Sequence, residues 1–577
     1  MRILFHCIAI VFLSLTYHVA PAQILFSEQA AALGCSGSSF GNGTLGGGIS
    51  FFDFDNDGWD DITVSSEEGQ PVRFYKNTEG TFTQVDLGIP DHMGEIKSVV
   101  WVDFDNDGDY DLYTSSNSDG RALYENDGAL NFTDITVAAG LYSDQLHDWG
   151  ASWGDYNNDG WLDLFQTSRH DGDASFHNKL YENNGDGTFT NVTSQSGLIE
   201  DIYMSFCASF FDYNNDGWQD IYIADDRPQF ANLMYRNNGD GTYTEVGNST
   251  GTDAAINAMS TAIGDYDSDG WFDIYVTNTP EGNVFYRNNG NNTFTDVAPS
   301  NGTLMETVAW GAVYLDADND GNLDLYVSSS WTNPDVALTS AFYRNDGTGN
   351  YSIPENAGFE NDDAVSFSNA IGDIDNDGYP DMVVLNFAPD DIYVWKNECP
   401  TLYNWIKVKL EGTESNRQGI GSVIEISVNG EKQYNYTLCG EGYLGQNSSY
   451  EFFGINDAES IDYIKVTWLS GIVDVLENPD INSHITILEG STLGLETPDS
   501  SYFSLYPNPT SGILQLRGPK HLNTIKATIS DGQGRVLISK TMDAQSGSLD
   551  MTGFSEGLYF VTLQNGSVTE VQKVILK

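Results

Sequence analysis

A nine-residue acidic loop occurs seven times along this 577-residue chain, and repetition of that regularity leaves few folds open. The copies read DFDNDGWDD, DFDNDGDYD, DYNNDGWLD, DYNNDGWQD, DYDSDGWFD, DADNDGNLD and DIDNDGYPD. They begin at Asp53, Asp103, Asp155, Asp212, Asp265, Asp316 and Asp373, at spacings of 50, 52, 57, 53, 51 and 57 residues. A period of this length marks an architecture in which each unit buries its apolar face against the next. An apolar run precedes most loops, such as SVVWV at 98–102, and an alternating run follows, such as DIYI at 220–223. A third run resembles KLYEN at 179–183, and an NGDG turn at 184–187 leads to a fourth, TFTNV at 188–192. Four short strands per repeat, with no helical periodicity, predict an all-β chain and a seven-bladed β-propeller followed by two small β domains. The seventh copy lacks its fourth run. ILFSE at 24–28 supplies a candidate, so the N-terminal segment is expected to complete the last blade and remove two raw sheet edges.

Each loop places carboxylates close together, and like charges repel by roughly 1 kcal/mol per pair at ~4 Å in water, several times more when half-buried. A bound cation offsets that repulsion. Oxygen ligands at alternate positions around a glycine turn, with a backbone carbonyl at the seventh position, form a calcium cage. The expected ligands are the first, third, fifth and ninth residues of each copy. They are Asp53, Asp55, Asp57 and Asp61; Asp103, Asp105, Asp107 and Asp111; Asp155, Asn157, Asp159 and Asp163; and Asp212, Asn214, Asp216 and Asp220. The last three copies supply Asp265, Asp267, Asp269 and Asp273; Asp316, Asp318, Asp320 and Asp324; and Asp373, Asp375, Asp377 and Asp381. Up to seven Ca²⁺ ions are expected. An EF-hand would need Glu at position 12 and flanking helices. Position 12 is instead Val64, Thr114, Gln166, Ile223, Val276, Val327 and Val384, each in an extended run.

Lys+Arg is 24 against Asp+Glu 84, a net charge of -60, which argues against nucleic acid or an anionic membrane as partner. Apolar residues at 40% make the chain globular rather than a disordered acidic tail. Residues 1–22 read as a signal peptide: Arg2, an apolar stretch over 3–15, and Ala20-Pro21-Ala22 before Gln23. No later apolar run is long enough to span a bilayer. Cys7 leaves with the signal. Cys35, Cys207, Cys399 and Cys439 remain in an oxidising setting, where Cys399 with Cys439 is the expected disulfide and Cys207 the expected buried thiol.

The loops and strand order, over residues 24 to about 398, resemble the FG-GAP/VCBS repeats of integrin α-chain propellers. The resemblance implies calcium-dependent stability and a binding role. Residues 403–489 carry QGIGSV at 418–423, GEGYLGQ at 440–446 and VTWLSG at 466–471. They are similar to the ASPIC/UnbV domain, which follows such propellers in relatives of cartilage acidic protein. In residues 502–577 Lys+Arg is 7 and Asp+Glu 5, so the acidity stops upstream. LYPNPTSG at 505–512, GLYFV at 557–561 and the terminal KVILK resemble the type A C-terminal sorting domain of the Bacteroidetes type IX secretion system. That implies passage across the outer membrane, removal of the domain, and release or surface attachment. The expected division is 1–22 signal, 23–400 propeller, 401–490 ASPIC/UnbV-like domain, 491–501 linker and 502–577 sorting domain.

These features point to a secreted or cell-surface adhesion or ligand-binding module for an extracellular glycan or protein, with the secretion machinery as a second partner. The alternative is a polysaccharide lyase or hydrolase built on a propeller. There is no Ser nucleophile elbow and no zinc-spaced His cluster, so no catalytic residue is assigned. Antiparallel strands put the acidic loops and NGDG turns on one rim and the variable connections on the other, where binding loops are expected. In or beside those connections lie His92, His147, Trp149, Arg169, His170, His177, Arg227 and Trp331, the candidate ligand contacts.

Overall fold

The alternating runs on either side of each acidic loop form antiparallel hairpins, and in the computed structural model each repeat makes one four-stranded sheet. The structure describes residues 24–492 apart from 92, 142–146, 171, 173–175, 331–338 and 401, and residues 504–577 apart from 507–509, 511, 518–523, 532–534, 544–546, 556 and 566–567. The expected signal peptide, His92 and Trp331 lie outside the described residues. In the second repeat Ile96–Val102, Asp111–Ser116, Gly120–Asn126 and Phe132–Asp134 pair in that order, and the acidic loop is the turn between the first two. The last sheet takes its outer strand from the far end of the chain: Phe26–Glu28 runs antiparallel to Tyr393–Asn397, with Phe26 opposite Asn397. First strands of successive sheets pack on one another in a β-propeller-like ring, which closes where Ile49–Phe52 meets Ser366–Gly372. Large side chains fill the gaps between sheets, as where Trp101 stacks on Phe54 at 5.0 Å.

Residues 405–488 add two further sheets. One joins Glu451–Gly454, Trp405–Glu411 and Ser483–Leu488; the other joins Glu431–Tyr436, Val423–Val428, Tyr463–Thr467 and Val473–Glu477. Ile406, Val408, Ile424, Ile464, Val466 and Trp468 form the core between them. This domain and the ring form one compact unit, and the chain from Gly494 onward forms a second. In that second unit a three-stranded and a four-stranded sheet enclose Leu514, Leu516, Ile529, Val561 and Leu563.

The first strand of every sheet is an inner edge, and its N–H and C=O groups need partners. Residues 439–446 enter the ring and supply many of them. The Trp153 N–H donates to the Cys439 carbonyl at 2.9 Å, and the Phe51 N–H to the Gln446 carbonyl at 2.9 Å. The Gln446 side chain accepts from the Trp101 N–H at 2.7 Å and donates to the Trp101 carbonyl at 2.8 Å. Glycine is required for this fit: a Cβ on Gly440 would stand 2.2 Å from the Ala151 oxygen. Tyr443, at the tip, is buried among Phe206, Trp310 and Phe367, and its hydroxyl donates to the Leu45 carbonyl at 2.7 Å.

The plug overturns the expected Cys399–Cys439 disulfide. Cys439 is a free thiol inside the ring, packed in one cluster with Trp153 and Val102, because residue 439 belongs to the inserted segment and not to the domain surface. Cys207 is a buried free thiol, as expected.

Candidate functional site

Backbone donors set the acidic loops. In the first, the two oxygens of Asp53 accept the N–H groups of Asp57 and Gly58 at 3.0 and 2.9 Å. Asp61 accepts the Phe54 N–H at 3.2 Å with one oxygen and the Asn77 N–H at 2.7 Å with the other. The second bond recurs in every repeat: Asn77, Asn126, Asn183, Asn237, Asn288, Asn345 and Asn397 each give their N–H to the ninth-position Asp. The same asparagine often reaches the preceding sheet, as where Asn77 donates to the Ile374 carbonyl at 2.9 Å across the ring closure.

With the backbone donors so spent, carboxylates gather in five of the loops and some of their oxygens are left without a partner. Asp53, Asp55 and Asp57; Asp103, Asp105 and Asp111; Asp265, Asp267 and Asp269; Asp316, Asp318 and Asp320; and Asp373, Asp375 and Asp381 each bring ligand oxygens within 4.8 Å of one another. The Oδ1 atoms of Asp55, Asp103, Asp267, Asp318 and Asp375 are buried and accept no hydrogen bond. Burial, then Asp105 and Asp107, push Asp103 up to about 7. A hard cation with oxygen preference fits such a donor set, because it replaces missing hydrogen bonds and cancels the repulsion. In loops 3 and 4 the third-position amides turn inward instead, Asn157 donating to Asp159 and Asn214 to Asp216, each at 2.9 Å.

The fourth loop position carries a role that ligand counting missed. Its residue has φ between 55° and 59° in all seven copies. In six it is an Asn whose amide donates to the glycine carbonyl of the next loop: Asn56 to Gly108, Asn106 to Gly160, Asn158 to Gly217, Asn215 to Gly270, Asn319 to Gly378 and Asn376 to Gly58. The loops are thus belted around one rim, with a gap only at Ser268. The available signal was Asn in six of seven copies, since Asn tolerates left-handed backbone.

The second domain sits on this rim. Lys407 Nζ lies 2.8 Å from Asp373 and 2.8 Å from Asn376, Lys409 Nζ lies 3.1 Å from Asn56, and the Arg417 N–H donates to Asn106 at 2.8 Å. A cavity of about 80 Å³ remains beside the plug, lined in part by Glu441 and Glu451, which burial pushes up to about 7 and about 8.

On the opposite rim Arg169, His170, Met204, Arg227 and Gln229 line a cavity of about 300 Å³. One buried carboxylate, Asp226, pairs with both Arg169 and Arg227. His147 lies against His170 with ring centroids 4.4 Å apart, and burial lowers its pKa. His177 faces Glu200 at 3.5 Å. Trp149 is not an open platform: it is 3% exposed, with Lys97 4.7 Å and Arg169 5.6 Å from its ring.

Comparison with known proteins agrees with this anatomy. Residues 53–114, 103–166, 167–223, 212–276 and 265–327 match the FG-GAP-like repeat, 412–493 match ASPIC and UnbV, and 504–577 match the secretion system C-terminal sorting domain. The chain is 21% identical to cartilage acidic protein 1 of Xenopus tropicalis over 481 residues, covering 74% of this chain and 70% of that one. It is 25% identical to cartilage acidic protein 1 of Homo sapiens over 254 residues, covering 40% of this chain and only 37% of the human protein. Among solved structures, an exotype rhamnogalacturonan lyase is 12% identical over 80% of this chain and 76% of that one, but a TM-score of 0.24 carries no argument about activity. No helix among the described residues is long and apolar enough to cross a membrane. The chain is thus a protein of FG-GAP-like repeats with an ASPIC and UnbV domain, exported by type IX secretion to the cell surface or beyond it.

Proposed function

We propose that the chain is a calcium-stabilised, non-catalytic module that binds an extracellular glycan or protein on the rim opposite its acidic loops. Calcium would be held by the first, third, fifth and ninth residues of each loop, supplying the partner that buried oxygens such as the Oδ1 atoms of Asp55 and Asp103 lack. One observation carries the choice of rim. The second domain occupies the acidic side, while on the other side two guanidiniums, Arg169 and Arg227, share the single carboxylate of Asp226 beside an open cavity. A surplus positive charge on a chain of net charge -60 suits a ligand bearing carboxylate or sulfate groups. The test is binding of the full-length chain, with calcium, to arrays of acidic glycans and matrix proteins. Arg169→Ala and Arg227→Ala are expected to weaken capture by about tenfold each, as for loss of a charge-assisted hydrogen bond. Unchanged capture would move the site elsewhere, and turnover of a captured glycan would overturn the non-catalytic part.

A further inference from the structure

In every repeat the third strand presents one side chain immediately before the Asn that is bound to the ninth-position Asp. Its place relative to the acidic loop is therefore the same seven times. In chain order this residue is Lys76, Glu125, Glu182, Arg236, Arg287, Arg344 and Lys396. In loops 1, 5, 6 and 7 it is a base lying on the loop's own carboxylates. Lys76 bridges Asp55 and Asp57. Arg287 reaches Asp267 at 2.7 Å, Arg344 reaches Asp318 and Asp320 at 2.9 Å, and Lys396 reaches Asp375 at 2.5 Å. Lys407 of the second domain adds another base to loop 7, 2.8 Å from Asp373.

Loops 2 and 3 have the opposite sign at this position. Loop 2 goes further, because its seventh residue is also acidic. Asp103, Asp105, Asp107, Asp109, Asp111 and Glu125 crowd one turn. Arg417, whose guanidinium lies beside Gly108, is paired with Glu411 at 2.6 Å instead. Asp103 is 2% exposed, and its Oδ1, like that of Asp109, is buried with no partner. In loop 3, Asn157 gives up one charge and Glu182 restores it, held by the Tyr156 hydroxyl at 2.7 Å. Loop 4 combines Asn214 with Arg236, so it too belongs with the less negative loops.

Resting on the reading that these loops hold calcium, we propose that they do so in two tiers: loop 2 binds first and tightest, and the loops backed by Lys or Arg bind weakly. At loop 2 an arriving divalent ion meets carboxylates on which, among the described residues, no Lys or Arg side chain lies directly, Arg417 standing nearby but paired with Glu411. At loop 1 it must displace the Lys76 ammonium or sit beside it. The charge count of the ligands tunes calcium affinity over several decades, and a unit charge a few ångströms away acts in the same direction.

The test is calcium titration of the metal-stripped, full-length chain by calorimetry, with terbium luminescence as a second readout. The expected result is one tight equivalent, separated from a weaker set by about tenfold or more in Kd. Glu125→Lys should remove a tight equivalent, and Glu125→Gln should weaken it by a smaller factor. Lys76→Glu should convert a weak equivalent into a tight one, a gain that misfolding cannot imitate. A single class of sites, unmoved by Lys76→Glu, overturns the two tiers and leaves calcium binding standing. No calcium uptake at all overturns the calcium reading and the tiers with it.

Discussion

The two rims of the ring are built by opposite rules. On the acidic rim every repeat makes the same turn, and six of the seven turns donate the same amide to the next. A loop that must satisfy its own carboxylates, its neighbour's carbonyl and a domain resting on it has little freedom to vary. On the other rim neighbouring connections also bond to one another, but through different residues at each step, as Thr44 with Glu95, Arg121 with Asp148 and Arg169 with Asp226. Arg169 follows Asp163–Ser168 and Arg227 follows Asp220–Asp225, yet the two converge on one carboxylate, Asp226. The acidic motif that dominates the sequence is on this reading scaffold, and ligand chemistry belongs where the repetition breaks.

Calcium removal should break this contrast most severely. A ligand that binds only the folded state adds about 2.7 kcal/mol per site at a hundredfold excess over Kd. Loss of several sites is then expected to lower the melting temperature of the ring by about 10 °C or more. Calorimetry with excess calcium and with chelator measures it, and identical melting would deprive the acidic rim of its assigned role. A smaller effect is expected at the plug. Gly440→Val drives a β-branched residue against the Ala151 carbonyl at a φ of 79° and should cost about 3 kcal/mol. Arg227→Ala, on the far rim, should stay within about 0.5 kcal/mol. Urea midpoints of the two variants compare them directly, and equal losses would erase the difference between scaffold and decoration. The belt gives the finest adjustment. Asn376→Ala removes one link to the next loop and should cost about 1 kcal/mol, whereas Ser268→Asn offers the missing link and should add up to about as much. A Ser268→Asn chain no more stable than the parent would show that the belt is incidental.

Much of this was legible because it is local. Each hairpin closes across a nine-residue loop, each carries its own alternation, and seven copies average out the noise that obscures a single strand. Even the strand from the distant N-terminus could be read, since ILFSE at 24–28 shares the pattern of the other fourth runs. Trp149 was harder. The sequence placed it in or beside a variable connection, whereas the structure puts it in the inner strand Asp148–Gly154, covered by Lys97 from the preceding repeat and by Arg169 just beyond the strand Asp163–Ser168. The disulfide expectation failed for the same kind of reason. Nothing within CGEGYLGQ at 439–446 announces that it will leave its own domain and pair with inner edges, one of them 345 residues upstream. The sequence by itself therefore determined the hairpin sheets and their carboxylate turns, because those structures satisfy their hydrogen bonds among near neighbours. Only the tertiary structure decided that the ring is plugged and its acidic rim covered, because that depends on unpaired inner edges finding donors and acceptors in a remote segment, and no periodicity along the chain records such a match.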